Sequence, residues 1–196
     1  FTSSDGTTKL DHEIEKYTSA TGALVAWVRI PSLSNSADTD IYMYYGYSSA
    51  TNQQNATGVW SDGGSNYYKG VWHLHNNNFN DSTSTGNNGT NSGTNDVTGQ
   101  MANGRNFDAD TDTISLGTST TLQPASLTYS FWVRRTTTWS SLQRNLCWFK
   151  GAWDGNGWYV DSYDVGDQNR PLNLTVDGTN GFQVTGVDPN TFYPLD

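Results

Sequence analysis

Basic residues are scarce in this chain. Ten Lys and Arg stand against nineteen Asp and Glu, for a net charge of −9 over 196 residues. They are scattered, so no row of cations can track a phosphate backbone; nucleic-acid binding is excluded and anionic membrane surfaces are disfavoured. The single cysteine, Cys147, has no disulfide partner in the chain, and within Leu146-Cys-Trp-Phe149 it reads as a small buried hydrophobe. No stretch approaches the roughly 20 apolar residues of a membrane helix. Nor does a basic and apolar leader stand before Phe1, which sets the expectation of a mature or trimmed chain. Helical periods are hard to find, and the Gly-rich stretches lack the spacing of a phosphate cradle that opens a helix, so nucleotide binding has no support.

Large rings are abundant. With eight Trp and eleven Tyr in a chain that is only 34% hydrophobic, the sequence holds too many for a disordered segment. Polarity comes mainly from Ser, Thr, Asn and Gly: Thr suits a pleated, half-exposed strand, and Asn and Gly suit turns. Asx-Gly pairs recur at Asp5-Gly6, Asp62-Gly63, Asn88-Gly89, Asn103-Gly104, Asp154-Gly155, Asn156-Gly157, Asp177-Gly178 and Asn180-Gly181, the residues that tolerate positive φ in tight hairpins.

Between them the chain alternates with period two. Leu24, Ala26, Val28 and Ile30 share one face and Val25, Trp27 and Arg29 the other, up to Pro31. Ile41, Met43 and Tyr45 oppose Tyr42 and Tyr44; Leu127, Tyr129, Phe131 and Val133 oppose Ser130, Trp132 and Arg134. Each would bury one face. Further strands are expected at 145–150, 157–163, 172–177 and 181–185. The fold class is therefore all-β, with little or no helix: two β-sandwich or jelly-roll units in tandem, 1–69 and 70–196, with a polar loop at 76–99.

The runs Phe1-Thr-Ser-Ser-Asp-Gly-Thr-Thr-Lys9, Leu24-Val-Ala-Trp-Val-Arg-Ile-Pro31 and Asp40-Ile-Tyr-Met-Tyr-Tyr-Gly46 resemble an uncharacterised β-sandwich domain of secreted bacterial and archaeal proteins. That family commonly runs into a laminin-G-like, concanavalin A-like jelly roll. Gly70-Val-Trp-His-Leu-His75, Asp81-Ser-Thr-Ser-Thr-Gly-Asn-Asn-Gly-Thr90 and Gly104-Arg-Asn-Phe-Asp108 look like the opening of such a second domain. The resemblance implies an extracellular or cell-surface location. It also implies that both domains are partial, the first lacking opening strands and the second closing ones. A sandwich short of strands exposes an adhesive backbone edge. Either the chain is a fragment, or neighbours complete it through self-association.

The chemistry on offer is thin. The only glutamates, Glu13 and Glu15, share a strand face with Asp11. A retaining glycosidase needs two carboxyls about 5–5.5 Å apart with one pKa raised by burial. With Leu10, His12 and Ile14 on the opposite face, the carboxylates read as the wet side of a half-buried strand. Residues 70–196 contain no Glu at all. His73 and His75 lie on one face of an extended segment but lack a visible third metal ligand, and they read as a junction strand with Trp72 and Leu74 inward.

Asp81, Asp108, Asp110 and Asp112 are the candidates for calcium, which laminin-G-like jelly rolls often bind through loop carboxylates; the spacing lacks the Gly and terminal Glu of a helical calcium loop. Trp139, Trp153, Trp158 and Tyr163 occur in turn-rich stretches that could form aromatic platforms for glycans. Asn55, Asn80, Asn88 and Asn173 each begin an Asn-x-Ser/Thr sequon. The expectation is a non-enzymatic extracellular structural or adhesion protein, self-assembling through open strand edges. A lectin-like carbohydrate-binding module is the alternative, and a glycoside hydrolase the third reading.

Overall fold

A computed structural model describes residues 1–61, 67–109, 111–124 and 128–134, together with the backbone of the strands at 145–151, 157–162, 172–176, 179–184 and 193–195. The chain divides into two compact units, Phe1–Ser126 and Leu127–Asp196.

The first unit contains β1 (Thr2–Ser3), β2 (His12–Thr18), β3 (Ala23–Val28), β4 (Ile41–Tyr42), the four-residue helix α1 (Ala56–Val59), β5 (Thr90–Ser92), β6 (Asn95–Thr98), β7 (Asn103–Asn106) and β8 (Thr113–Ser115), then a 3-10 turn at Thr120–Leu122. Among the described residues its strands form four antiparallel pairs: β1 with β4, β2 with β3, β5 with β8 and β6 with β7.

Turn chemistry explains where the strands stop. Asp5 Oδ1 accepts the amides of Thr7 and Thr8, both at 2.8 Å, while Gly6 takes φ +72°. The chain thereby turns sharply after β1. Gly22, at φ +71°, closes the β2–β3 hairpin by donating to the Thr18 carbonyl at 2.8 Å. β3 ends before Pro31 as expected, but its burial does not alternate: Leu24 is exposed and Val25 to Val28 are all half-buried. β4 is shorter than the alternation at 41–45 suggests, because β1 offers only two residues for pairing. Both alternating sets stay wet: Met43 is 47% exposed, Tyr44 68% and Tyr45 87%.

The Asn/Ser/Thr/Gly-rich stretch 76–99 carries β5 and β6 and folds by hydrogen bonding. Asp81 accepts Val71 N and Thr83 N on Oδ1, and Thr85 Oγ1 and Asn87 N on Oδ2, all between 2.8 and 3.0 Å. The Arg105 side chain, only 2% exposed, pairs with Asp96, donates to the Asn77 amide oxygen at 3.0 Å and lies 5.0 Å from the centre of the Phe79 ring. Among the described residues the fully buried apolar side chains are Leu10, Val59 and Ala102. Buried polar ones are more numerous: Thr2, His12, Glu15, Asp81, Thr83, Asn87 and Thr94. Such an interior depends on every polar group finding a partner.

The second unit contains β9 (Phe131–Val133), β10 (Asn145–Gly151), β11 (Gly157–Ser162), β12 (Leu172–Val176), β13 (Thr179–Val184) and β14 (Tyr193–Leu195). Strands β10 to β13 make a four-stranded antiparallel meander in chain order, and β14 pairs with β9. The four strands expected beyond residue 144 are therefore present. Asn180-Gly181 is not a turn: the register steps from Leu174↔Phe182 to Thr175↔Asn180, so Gly181 is the extra residue of a bulge. Cys147 occupies a similar step in β10, between Leu146↔Asp161 and Trp148↔Val160. Its side chain lies outside the described residues. The protein is an all-β fold, and no helix among the described residues is long and apolar enough to cross a membrane.

Candidate functional site

A bulge in β2 creates the most distinctive chemistry of the first unit. The β2–β3 register runs His12↔Val28, Glu13↔Trp27 and Ile14↔Ala26, then resumes at Lys16↔Val25, leaving Glu15 unmatched. A bulge re-aims the side chain it carries. Glu15 becomes 6% exposed while Ile14 rises to 38%. This overturns the reading of Glu13 and Glu15 as a solvated strand face: the carboxylates turn inward because three indole and imidazole rings supply donors there.

His73 sits between the two acids, its Nε2 3.1 Å from Glu13 Oε2 and its Nδ1 3.4 Å from Glu15 Oε2. Trp60, just after α1, donates its indole N–H to Glu13 Oε2 at 2.7 Å. Ser82 donates its hydroxyl to Glu13 Oε1 at 2.6 Å, and Trp27 of β3 donates to Glu15 Oε2 at 2.7 Å. The rings of Trp27 and Trp60 stand 6.1 and 6.0 Å from that of His73, the first stacked and the second tilted, and the stacked Trp27 face attracts an imidazolium. The expected inward pair Trp72 and Leu74 gives way to His73. Leu74 takes φ +56° and breaks the extended alternation, and the Trp72 indole donates to the Asn87 carbonyl at 2.8 Å.

Electrostatics follow from this packing. Burial pushes the Glu13 carboxyl up, but hydrogen bonds from His73, Ser82 and Trp60 outweigh it and hold the group at about 2. Glu15 is lowered in the same way, with His73 and Trp27 as donors and the charges of His73 and His75 adding to them. Burial alone would depress His73, yet its two carboxylate partners raise it to about 9. At neutral pH the cluster is thus carboxylate, imidazolium, carboxylate. Neither acid holds a proton to give a leaving group, which is what the acid of a glycosidase pair must do.

Beside the cluster lies a cleft of about 260 Å3 lined by Glu15, Lys16 and Tyr17 of β2, by His75 and Asn76, and by Asn103 of β7, among others. Leu74, Asn76 and Asn77 all hold positive φ, at 56°, 50° and 58°. Non-glycine residues rarely take this conformation, and it is costly for a branched side chain such as Leu. The segment is pinned by Asp96 Oδ2, which accepts Asn76 N at 3.1 Å, and by Arg105 on Asn77.

The residues singled out from sequence fall elsewhere. Asp81 spends both oxygens on its own loop. Asp112 Oδ2 accepts the amides of Asp108 and Ala109 at 2.9 and 3.2 Å. Asp110 lies outside the described residues, and among those described no three His, Cys, Asp or Glu side chains converge as metal ligands. Trp139, Trp153 and Tyr163 also lie outside them; Trp158 is placed only by its backbone in β11, opposite Val176.

Of the sequons, Asn55 caps α1 through its Oδ1, which accepts Gly58 N at 3.3 Å, and gives its amide N–H to Asp11 at 2.8 Å. Asn80 is exposed. Asn88 Oδ1 accepts Asp81 N at 3.0 Å. Asn173 is placed by backbone in β12. The Glu13–His73–Glu15 cluster escaped sequence reasoning, because its members lie 60 residues apart along the chain.

Fold and site together define an all-β protein whose first unit is organised around a buried carboxylate–imidazolium–carboxylate cluster. Residues 1–94 match a family described as a domain of unknown function (DUF2341). The match includes β1 to β5, Trp60 and the whole cluster, and it extends through the Gly70–His75 and Asp81–Thr90 runs. No curated protein and no solved structure matches the chain.

Proposed function

We propose that this chain is a non-catalytic structural or adhesive module of an extracellular surface, joining copies of itself through the free edge of β3. The observation that carries the reading is the state of that edge. On the far side of β2, Ile14 N donates to Gln54 Oε1 at 2.6 Å and Asn55 N to the His12 carbonyl at 2.9 Å, so that side is covered. β3 has β2 as its one strand neighbour among the described residues. Its run Ala23-Leu-Val-Ala-Trp-Val28 contains no charge and no proline, the devices that ordinarily blunt an edge. A second copy of β3 offers a neutral strand of the same length, and the repulsion of two chains at −9 resides elsewhere.

The exposed tyrosines 42, 44, 45 and 47, from 48% to 87% accessible, are a second support, since aromatic side chains are favoured at adhesive surfaces. We further read the C-terminal strands as part of a laminin-G-like, concanavalin A-like jelly roll; the β10–β13 meander supports this. Light scattering behind size-exclusion chromatography, with negative-stain microscopy, tests the assembly. Dimers or filaments that Val25→Lys and Ala26→Pro reduce to monomers are expected. A wild-type chain that stays monomeric as concentration rises would refute it.

A further inference from the structure

The cleft beside β2 has a feature that the ion cluster leaves unsatisfied. Glu15 directs Oε2 to both Trp27 and His73, and among the described residues its Oε1 accepts no hydrogen bond although the side chain is only 5% exposed. A buried, ionised carboxylate oxygen without a donor is costly, and the cleft is where a donor can enter. The opposite wall has matching vacancies. Asn103 gives both amide protons away, to Asn76 Oδ1 and Asp96 Oδ2 at 3.2 and 3.0 Å, leaving its Oδ1 to accept. The His75 ring, part-buried, makes no hydrogen bond among the described residues, and the left-handed residues on either side of it fix its place. Tyr17, 62% exposed, offers a ring at the rim.

The balance of charge narrows the ligand class. Glu15 disfavours an anion; Lys16 and the His73 imidazolium disfavour a cation. What remains is a neutral molecule rich in hydroxyls with one apolar face, small enough for a cleft below the roughly 300–1,000 Å3 of drug-sized sites. We propose that this cleft binds a single neutral sugar ring, a hydroxyl donating to Glu15 Oε1, others meeting Asn103 and His75, and the C–H face resting on Tyr17. The site is independent of the β3 edge, so either can fail without the other.

Saturation-transfer NMR on the full chain, with the methyl glycosides of glucose, galactose, mannose and N-acetylglucosamine as probes, tests it. At least one probe is expected to receive saturation at millimolar concentration. Tyr17→Ala and His75→Ala, which remove no hydrogen bond of the ion cluster, are expected to weaken that binding by about tenfold or more, and Tyr45→Ala to leave it unchanged. Glu15→Gln should abolish it; since Glu15 also holds His73, its spectrum must first match the folded wild type, and the Tyr17 and His75 variants decide the matter where it does not. No transfer to any probe, binding undiminished in both variants, or preferential binding of methylammonium or sulfate to the same residues would each overturn the proposal.

Discussion

Replacing His73 by Gln isolates what the imidazolium contributes. In the folded chain the group is raised from 6.5 to about 9, and each unit is worth ~1.4 kcal/mol, so the full contribution is about 3–4 kcal/mol. The lowering of Glu13 from 4.5 to about 2 reports the same attraction in part, beside the hydrogen bonds from Ser82 and Trp60, and is not added. A raised histidine stabilises fully below its unfolded pKa: the contribution is complete below pH 6.5, declines by ~1.4 kcal/mol per unit above it as the folded chain holds a proton the unfolded chain has lost, and vanishes above pH 9. The carboxylate works in the opposite sense, stabilising above pH 4.5 and losing its share as pH falls toward 2. Wild-type stability should therefore peak between these limits, at pH 4.5 to 6.5. His73→Gln removes the alkaline slope and leaves two buried carboxylates without their cation, a loss of about 3–5 kcal/mol near neutrality. The variant's deficit narrows at both ends, as wild type loses its imidazolium and as the variant's own carboxyls take up protons. Urea denaturation followed by Trp fluorescence across this range gives both curves, since Trp27 and Trp60 report on the cluster. A wild-type curve flat from pH 6.5 to 9, or a variant curve merely displaced in parallel, would refute the reasoning.

Three further outcomes follow from packing. A Cβ at Gly70 would fall 1.9 Å from the Trp72 ring; Gly70→Ala should displace the indole from Asn87 and cost about 1–3 kcal/mol in thermal unfolding. Arg105→Lys keeps the charge but loses the fork that grips Asp96, Asn77 and Thr94, so destabilisation of about 2 kcal/mol and faster amide exchange across β6 and β7 are expected. Asp81→Leu strands four loop donors at once and should prevent the 71–90 segment from ordering, read as lost amide protection in hydrogen exchange.

The sheet-forming strands were legible where the physics is local. Period-two alternation located β3, and short apolar runs located β10 to β13 to within a residue or two, because backbone pairing needs only extended segments bounded by turns. Asx-Gly pairs proved less decisive. Asp5-Gly6 turns the chain, whereas Asn180-Gly181 sits inside β13, where the same freedom from a Cβ serves a bulge. The candidate site was illegible for a different reason. Strand parity puts Glu13 and Glu15 opposite Leu10, His12 and Ile14, and the hydrophobic set then claims the interior. Three things absent from that pattern reverse it: the bulge at Glu15, the indoles of Trp27 and Trp60, and a histidine arriving from residue 73. Asp81 hides in the same way, since a polar loop does not announce which of its carboxylates its own amides will surround.

Two glutamates separated by one residue, with the same cation between them, end in different chemical states of satisfaction. Glu13 has Ser82 on one oxygen and both Trp60 and His73 on the other, so each has a donor and nothing is left to recruit. It is a strut that ties β2 to the segments bearing His73 and Ser82. Glu15 is displaced by one bulge residue, which carries its Oε1 past the reach of any described donor and sets the side chain against a cleft. The arrangement is hard to explain as stability alone: pairing Glu15 as completely as Glu13 would have removed an unsatisfied buried acceptor, while strain at Leu74, Asn76 and Asn77 adds a further cost at the same place. Costs of two independent kinds beside one cleft, an unpaired oxygen on Glu15 and positive φ at and next to the lining residues His75 and Asn76, are what a binding site accumulates, and they separate the positional role of Glu13 from the ligand-directed role proposed for Glu15.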